Sequence, residues 1–374
     1  MKKITLFGLL VSVGVCAVFA LSIVWGSPVA QGAYTFESFS ARTPMHIYGL
    51  ATSSPQGLSP AFIKKTYHLA ATGGSGTIAI VTAYHSPTVE HDIEVFNKQF
   101  GIESCTVKNK CLIRHPMDVA TRMGADAGWS LETALDVEWA HALAPHAHIL
   151  LVEAATPSGK NLLKAVDYAR SQKDVVAVSM SWGGTEFADE LALDAHFTGG
   201  PTFFAASGDD GNGVVWPAVS PNVVAVGGTG FLIDKKKNTL ISEYAWKGSG
   251  GGTSAFEAEP SYQSAYDIPR AHHMRAIPDV AFNADPASGY SVYSSKSWYV
   301  IGGTSAGAPQ WAAIQALGHS ASNQKFYADK SYPTTSSFFR DIVSGGNGTC
   351  AYYCDARKRY DYVTGLGSPM TVHF

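Results

Sequence analysis

The sequence predicts an α/β fold in one domain, with a mainly parallel central sheet flanked by helices. Three observations lead there. Continuous β-branched, apolar runs alternate with helical stretches, the pattern of parallel strands covered on both faces. Of 374 residues, 46% are hydrophobic and only 15% charged, which excludes a disordered chain or a coiled coil and leaves ample material for a large core. The alternation starts at Leu58 and continues without a linker-like break or an internal repeat. The echoes Gly227-Gly228-Thr229, Gly251-Gly252-Thr253-Ser254 and Gly302-Gly303-Thr304-Ser305 are too short to mark one.

Residues 1–32 stand apart. Lys2 and Lys3 precede an apolar run from Ile4 to about Gly26, followed by small residues at Ser27, Ala30 and Gly32. That order reads as a secretory signal. The run is also long enough to span a bilayer as an uncleaved anchor, the one route to a membrane that the sequence offers. Residues 33–57 lack periodicity and read as an extended arm. Residues 58–374 form the expected α/β domain. Ser59-Pro60 opens a short helix through His68, and Thr77 to Ala83 is an apolar strand. Pro87 to Phe100 is helical. So is Leu131 to Ala142, with Ser130 as its N-cap. Ala147 to Ala154 and Val175 to Trp182 are strands around a helix from Lys160 to Gln172. Asp189 to Gly199 is helical, and Thr202 to Ala206 and Val223 to Val226 are short buried strands. A strand ending in Gly302-Gly303 precedes a helix from Gln310 to Leu317.

Charge and cysteine content narrow the function. A formal net charge of −3 offers no basic excess for nucleic acid. Loss of residues 1–32 would remove Lys2 and Lys3 and deepen the charge to −5, while 13 histidines would reverse its sign in mild acid. Cys16 falls in the export segment. The other four cysteines form two close pairs, Cys105/Cys111 and Cys350/Cys354, each in a turn-like segment that favours local disulfides. Zinc would prefer C-x2-C spacing or nearby histidines.

Three segments can carry chemistry. Ser305, between a Gly-Gly strand end and a helix start, sits where free N–H groups favour a developing negative charge. As a bare sequence feature it is equally a helix cap. Glu132 and Asp136 are four apart on a helix and share a face. Held together they split their titration, so one keeps a proton into acid and the other can act as a base. On a solvated face they would do nothing. Glu138 points elsewhere. Asp209 leaves a buried strand in Ser207-Gly208-Asp209, as a turn former or as a donor to an oxyanion. Gly303-Thr304-Ser305-Ala306-Gly307 also fits the G-x-S-x-G elbow of esterases, which would press Asp341 and His373 into a triad.

Together these segments resemble the sedolisins, the serine-carboxyl peptidase family with a subtilisin-like fold. The similarity runs in order through Glu132-x-x-x-Asp136, Ser179-Met180-Ser181-Trp182-Gly183, Ser207-Gly208-Asp209, Pro278 to Pro286, Gly302-Gly303-Thr304-Ser305-Ala306 and Val363-Thr364-Gly365-Leu366-Gly367. It covers residue 58 to the C-terminus. The resemblance implies that Ser305 attacks a peptide carbonyl, Glu132 takes its proton, Asp136 supports Glu132 and Asp209 stabilises the oxyanion. It places Ser181, Trp182 and Gly183 at the substrate cleft, where Trp129 and Trp182 either line the cleft or pack in the core. Subtilisin carries Asp where Thr82 stands, so a histidine triad is not expected. Ser254 precedes no helix and is excluded as nucleophile; it belongs to a flexible cleft segment.

Two departures matter. Some 25 residues separate the signal from the catalytic region, where the family has a long pro-domain. The family also binds calcium near its C-terminus, which implies Asp341, Ile342, Asp361 and the backbone carbonyls of Arg357 and Arg359 as ligands. Here Arg357-Lys358-Arg359 replaces a Gly-x-Gly loop, and its cations either oppose the ion or neutralise the acids themselves. The expected protein is an exported, monomeric, acid-active serine-carboxyl endopeptidase acting on protein or peptide substrates. A non-catalytic peptide-binding protein on the same scaffold, or an esterase, is the alternative.

Overall fold

A computed structural model describes residues 35–119, 123–318, 320–328 and 338–370. The export segment, residues 1–32, and His373 of the esterase reading lie outside the described residues. In chain order the elements are β1 (His46–Ile47), α1 (Pro60–Thr66), β2 (Thr77–Ala83), α2 (Val89–Phe100), β3 (Leu112–Pro116), α3 (Ala127–Leu143), β4 (His148–Ala154), α4 (Gly159–Ser171), β5 (Val175–Met180), β6 (Thr202–Ala206) and β7 (Val223–Asp234). They continue with β8 (Thr239–Ala245), β9 (Gly252–Ala258), α5 (Ser261–Tyr266), β10 (Met274–Ile277), β11 (Val280–Asn283), β12 (Tyr290–Ser294), β13 (Ser297–Gly302), α6 (Gly307–Ala316), α7 (Asn323–Ala328), β14 (Phe339–Arg340) and β15 (Ser368–Pro369).

The central sheet has the order β11-β7-β6-β5-β2-β4-β3, with β8 added to β7. Every pairing in it is parallel except β7 with β8. All seven residues of β2 are buried. Ile78 and Ile80 enter a core with α2, α3 and α6, while Ala79 and Val81 enter a second core with α4. Period-two alternation between two apolar layers is what a continuous apolar strand encodes. Helices α3 and α6 are buried over nearly their whole lengths, so neither shows an amphipathic stripe.

Several elements differ from expectation. Helix α3 begins one turn earlier, at Ala127, because Asp126 accepts the Trp129 N–H at 2.9 Å and takes the N-cap role expected of Ser130. Strand β7 runs eight residues beyond Val226, since its far half pairs antiparallel with β8. Residues Ala188–Phe197 form 3-10 turns rather than an α-helix. Ser254 lies in β9, where its hydroxyl bonds Glu186 and receives the Phe256 and Glu257 N–H groups. It sits in a paired strand, not a flexible segment. The parallel topology gathers the ends of β2, β5 and β6 on one edge, the usual place for a site in an open α/β sheet.

Candidate active site

Ser305 stands in a 3-10 turn, Thr304–Ala306, between β13 and α6. The turn is reached through Gly303, whose φ of +120° is strained for any side chain. A Cβ there would also lie 2.3 Å from Pro44 O and 2.6 Å from Asp209 Oδ2. Glycine is needed because three backbone segments converge at this point.

Helix α3 brings Glu132 and Asp136 to the same place. Ser305 Oγ donates to Glu132 Oε2 at 2.9 Å. The Ser181 hydroxyl, just past β5, donates to Asp136 Oδ1 at 2.7 Å and lies 3.1 Å from Ser305 O. Glu132, Asp136 and Ser305 are fully buried. Their remaining carboxylate oxygens, Glu132 Oε1 and Asp136 Oδ2, have no hydrogen-bond partner among the described residues. Burial raises both titrations, and for Glu132 the Asp136 charge adds to it. Two acids buried this close titrate as one coupled pair, with Glu132 Oε2 on the serine.

Asp209 follows β6. Its Oδ1 accepts Thr304 N–H and Thr304 Oγ–H, both at 2.8 Å. That leaves Oδ2 beside Gly303 and 3.2 Å from His46 Nε2. The four residues expected to act together are thus together, Glu132 and Asp136 on α3, Asp209 after β6 and Ser305 in the turn before α6.

The cleft residues divide. Gly183 exchanges two backbone hydrogen bonds with Arg42, at 2.9 and 3.0 Å. Trp182 is fully buried, its indole N–H on Val81 O at 3.1 Å. Its side chain packs in the core layer with Trp129, because neighbouring residues on a strand face opposite sides. Ser181 touches the acid pair rather than the cleft. Glu138 faces away, receiving Tyr293 N–H. The cleft, about 590 Å³, runs from Thr185 past Gly208 and Asp209 to Gly250. Residues 38–40 and 42–46 of the arm line it as well. Sequence reasoning missed this, since the arm's contacts are made by its backbone.

Both expected disulfides are present, Cys105–Cys111 and Cys350–Cys354. Among the described residues, the single grouping with metal-like spacing is Cys105, Cys111 and His141, and its sulfurs are bonded to each other. The residues implied for calcium do not fit an ion. Asp361 Oδ1 accepts N–H from Val363 and Thr364, each at 2.8 Å. Its Oδ2 accepts Arg357 N–H and Thr364 Oγ–H, each at 3.0 Å. Four donors fill the carboxylate's lone pairs. Arg359 N–H donates to Asp341 Oδ2 at 3.2 Å. Ile342 is buried in a small core with Ala245 and Val363. Burial pushes Asp361 up to about 7, while the hydrogen bonds from Arg357, Thr364 and Val363 act the other way and favour its charged form. The melting temperature is therefore expected to be the same in calcium and in chelator; a rise of several degrees with calcium would contradict this fit.

The Subtilase family model matches residues 114–335. The chain is 27% identical to Sedolisin of Pseudomonas sp. (strain 101) over 85% of its own length and 61% of that protein's. It is 35% identical to Kumamolisin of Bacillus sp. (strain MN-32), over 64% of its length and 49% of the relative's. It therefore spans about half to three-fifths of these two relatives. The solved structure of Pseudomonas sedolisin, a serine-carboxyl proteinase complexed with two molecules of pseudo-iodotyrostatin, superposes with a TM-score of 0.72 at 26% identity. The match covers 85% of this chain and 97% of that one.

Proposed function

The chain belongs to the subtilase family, in its sedolisin group, and from that premise we propose that it is an exported, acid-active serine-carboxyl endopeptidase whose catalytic domain is residues 58–374. The observation that carries this is the Ser305 hydroxyl on Glu132 Oε2, backed by the buried Asp136. A serine hydroxyl is a weak nucleophile until a base takes its proton. Glu132 supplies that base.

The geometry supports the following reaction. Ser305 Oγ attacks the peptide carbonyl carbon as its proton passes to Glu132 Oε2. Asp209, when protonated, donates from Oδ2 to the new oxyanion, with the Ser305 N–H as second donor. Glu132 returns its proton to the leaving amine, and a water molecule then releases the acyl group by the same path. The working pair of Glu132 and Asp136 carries one proton, so activity lies between the pair's two macroscopic ionisations. The need for a protonated Asp209 cuts it off as pH rises. Acid action and export suit each other, and the two disulfides fit an oxidising compartment.

Asp209→Asn keeps the length of the side chain and its contact with Thr304 while making donation independent of pH. The expected result is a kcat loss of roughly 10²-fold or less near the acid optimum, with the alkaline limb moved upward. An unchanged pH profile in a steady-state peptide assay would remove Asp209 from the role.

A further inference from the structure

The run Arg357-Lys358-Arg359 belongs to a larger basic surface. Lys358 and Arg359 are exposed, as are Arg270, His272 and His273 of the loop after α5. The two segments meet on a pair of tyrosines. The Arg270 guanidinium lies 4.0 Å from the centre of the Tyr352 ring, and the Arg357 guanidinium 4.6 Å from it. One aromatic ring thus holds two like charges close together. The Tyr353 hydroxyl donates to Arg270 O at 3.2 Å, and His272 Nε2 lies 3.0 Å from it. The Cys350–Cys354 disulfide closes the turn that carries both tyrosines. Asp267, Arg270, His272 and His273 all have φ between +54° and +68°, a conformation that persists only where surrounding contacts fix it.

Only some of these cations are answered. Arg357 pairs with Asp355 at 3.1 Å, and His273 lies 3.8 Å from Glu259. Asp341 and Asp361 are met by the backbone N–H groups of Arg359 and Arg357, and Asp267 stands exposed at the start of the loop. Among the described residues, the side chains of Arg270, Lys358 and Arg359 have no ion pair. Exposed histidines gain charge in mild acid, which makes this surface more basic under the conditions of the proposed activity. It also adjoins the cleft. Gly211 and Gly213 line the cleft, and between them Asn212 N–H donates to Asn347 O at 3.1 Å. Asn347 N–H donates in turn to Cys354 O at 2.9 Å. Backbone hydrogen bonds therefore lead from the cleft rim to the tyrosine turn.

We propose that this surface is an exosite: it docks an acidic segment of a protein substrate, outside the bond that is cut, and so selects substrates by charge. The inference rests on the peptidase reading above. Arg270 and Arg359 offer guanidinium forks that match carboxylates, and Lys358 adds a third positive charge. Each exposed pair contributes little by itself. Several together hold the segment, and the held segment raises the local concentration of the cut bond at Ser305. The effect therefore falls on KM and leaves kcat alone.

The test uses the full chain and two peptides that share one cleavable core. One carries an aspartate-rich tail and the other a serine tail, each placed in turn at either end. At pH 5 and low salt the expected KM is roughly tenfold lower for the aspartate tail, with kcat unchanged, and added salt erodes the difference. Reversing the three unpaired cations, by Arg270→Glu with Lys358→Glu and Arg359→Glu, is expected to erase the preference while the serine-tailed peptide is cut as before. Lys358→Glu alone, at an exposed position that no ring contacts, is expected to cost the aspartate peptide about twofold in KM. Equal KM for the two tails in the wild type, or a preference that survives the triple reversal, would overturn the proposal and leave the peptidase reading standing. If neither peptide is cut, the peptidase reading falls. Fluorescence anisotropy of the labelled peptides on Ser305→Ala then decides the surface by itself: tighter binding of the aspartate peptide is expected, and equal binding overturns it.

Discussion

Glu132→Gln is expected to abolish peptide hydrolysis as completely as Ser305→Ala, each by roughly 10⁴-fold or more in kcat. The substitution keeps the size of the side chain and its place on α3. It removes the lone pair that receives the Ser305 proton, and it removes the shared proton with Asp136. The two losses are one loss, because base and nucleophile act as a unit. The double variant should be no worse than either single one. A steady-state assay on an unfolded protein near pH 4, with far-UV circular dichroism as a check on folding, measures it. Glu132→Gln within tenfold of wild type would mean that another group is the base. Asp136→Asn should fall between, since the Ser181 hydroxyl can still hold the amide oxygen while the proton balance of the pair is lost.

The largest stability effect is expected at Arg275. This guanidinium is fully buried and grips Asp279 in a two-pronged pair, Nη1 to Oδ1 at 2.6 Å and Nη2 to Oδ2 at 2.5 Å. Asp279 also accepts Ala225 N–H and the Tyr327 hydroxyl, and Arg275 donates to the carbonyls of Ala276 and Val223. One pair thus ties β7, β10 and α7 to the start of β11, which runs beside β7. Arg275→Ala leaves a buried carboxylate without its cation, at a cost of about 3–5 kcal/mol. Denaturant unfolding checks this through the midpoint. Asp279→Asn in the same background should recover part of the loss, since it removes the stranded charge. A midpoint within error of wild type for Arg275→Ala would contradict the reading.

Much of this was legible in the chain. Strand β2 matches its expected bounds residue for residue, because a strand buried on both faces writes itself as an unbroken apolar run. Glu132 and Asp136 were legible because helical spacing fixes their common face. Contacts made by backbone or by burial were not. Nothing in Ser40 to His46 marks a segment that pairs with Gly183, since strand pairing leaves no side-chain signature at an irregular edge. Trp182 could not be assigned to cleft or core, as its side of the strand depends on where β5 stops. The cap of α3 had two candidates one turn apart, Asp126 and Ser130, and only tertiary packing chose between them. The calcium residues came from the family resemblance, whereas the donors that fill Asp361 belong to a loop whose path the sequence does not disclose.

The account stands or falls on whether Ser305 and Glu132 cut peptide bonds in acid. The direct measurement is the rate of casein hydrolysis by the purified, acid-treated protein from pH 3 to 8, with Ser305→Ala prepared in parallel. The account predicts turnover that peaks in mild acid, disappears toward neutral pH and is absent throughout in Ser305→Ala. Hydrolysis that survives in Ser305→Ala, or that is greatest above pH 7, would contradict it.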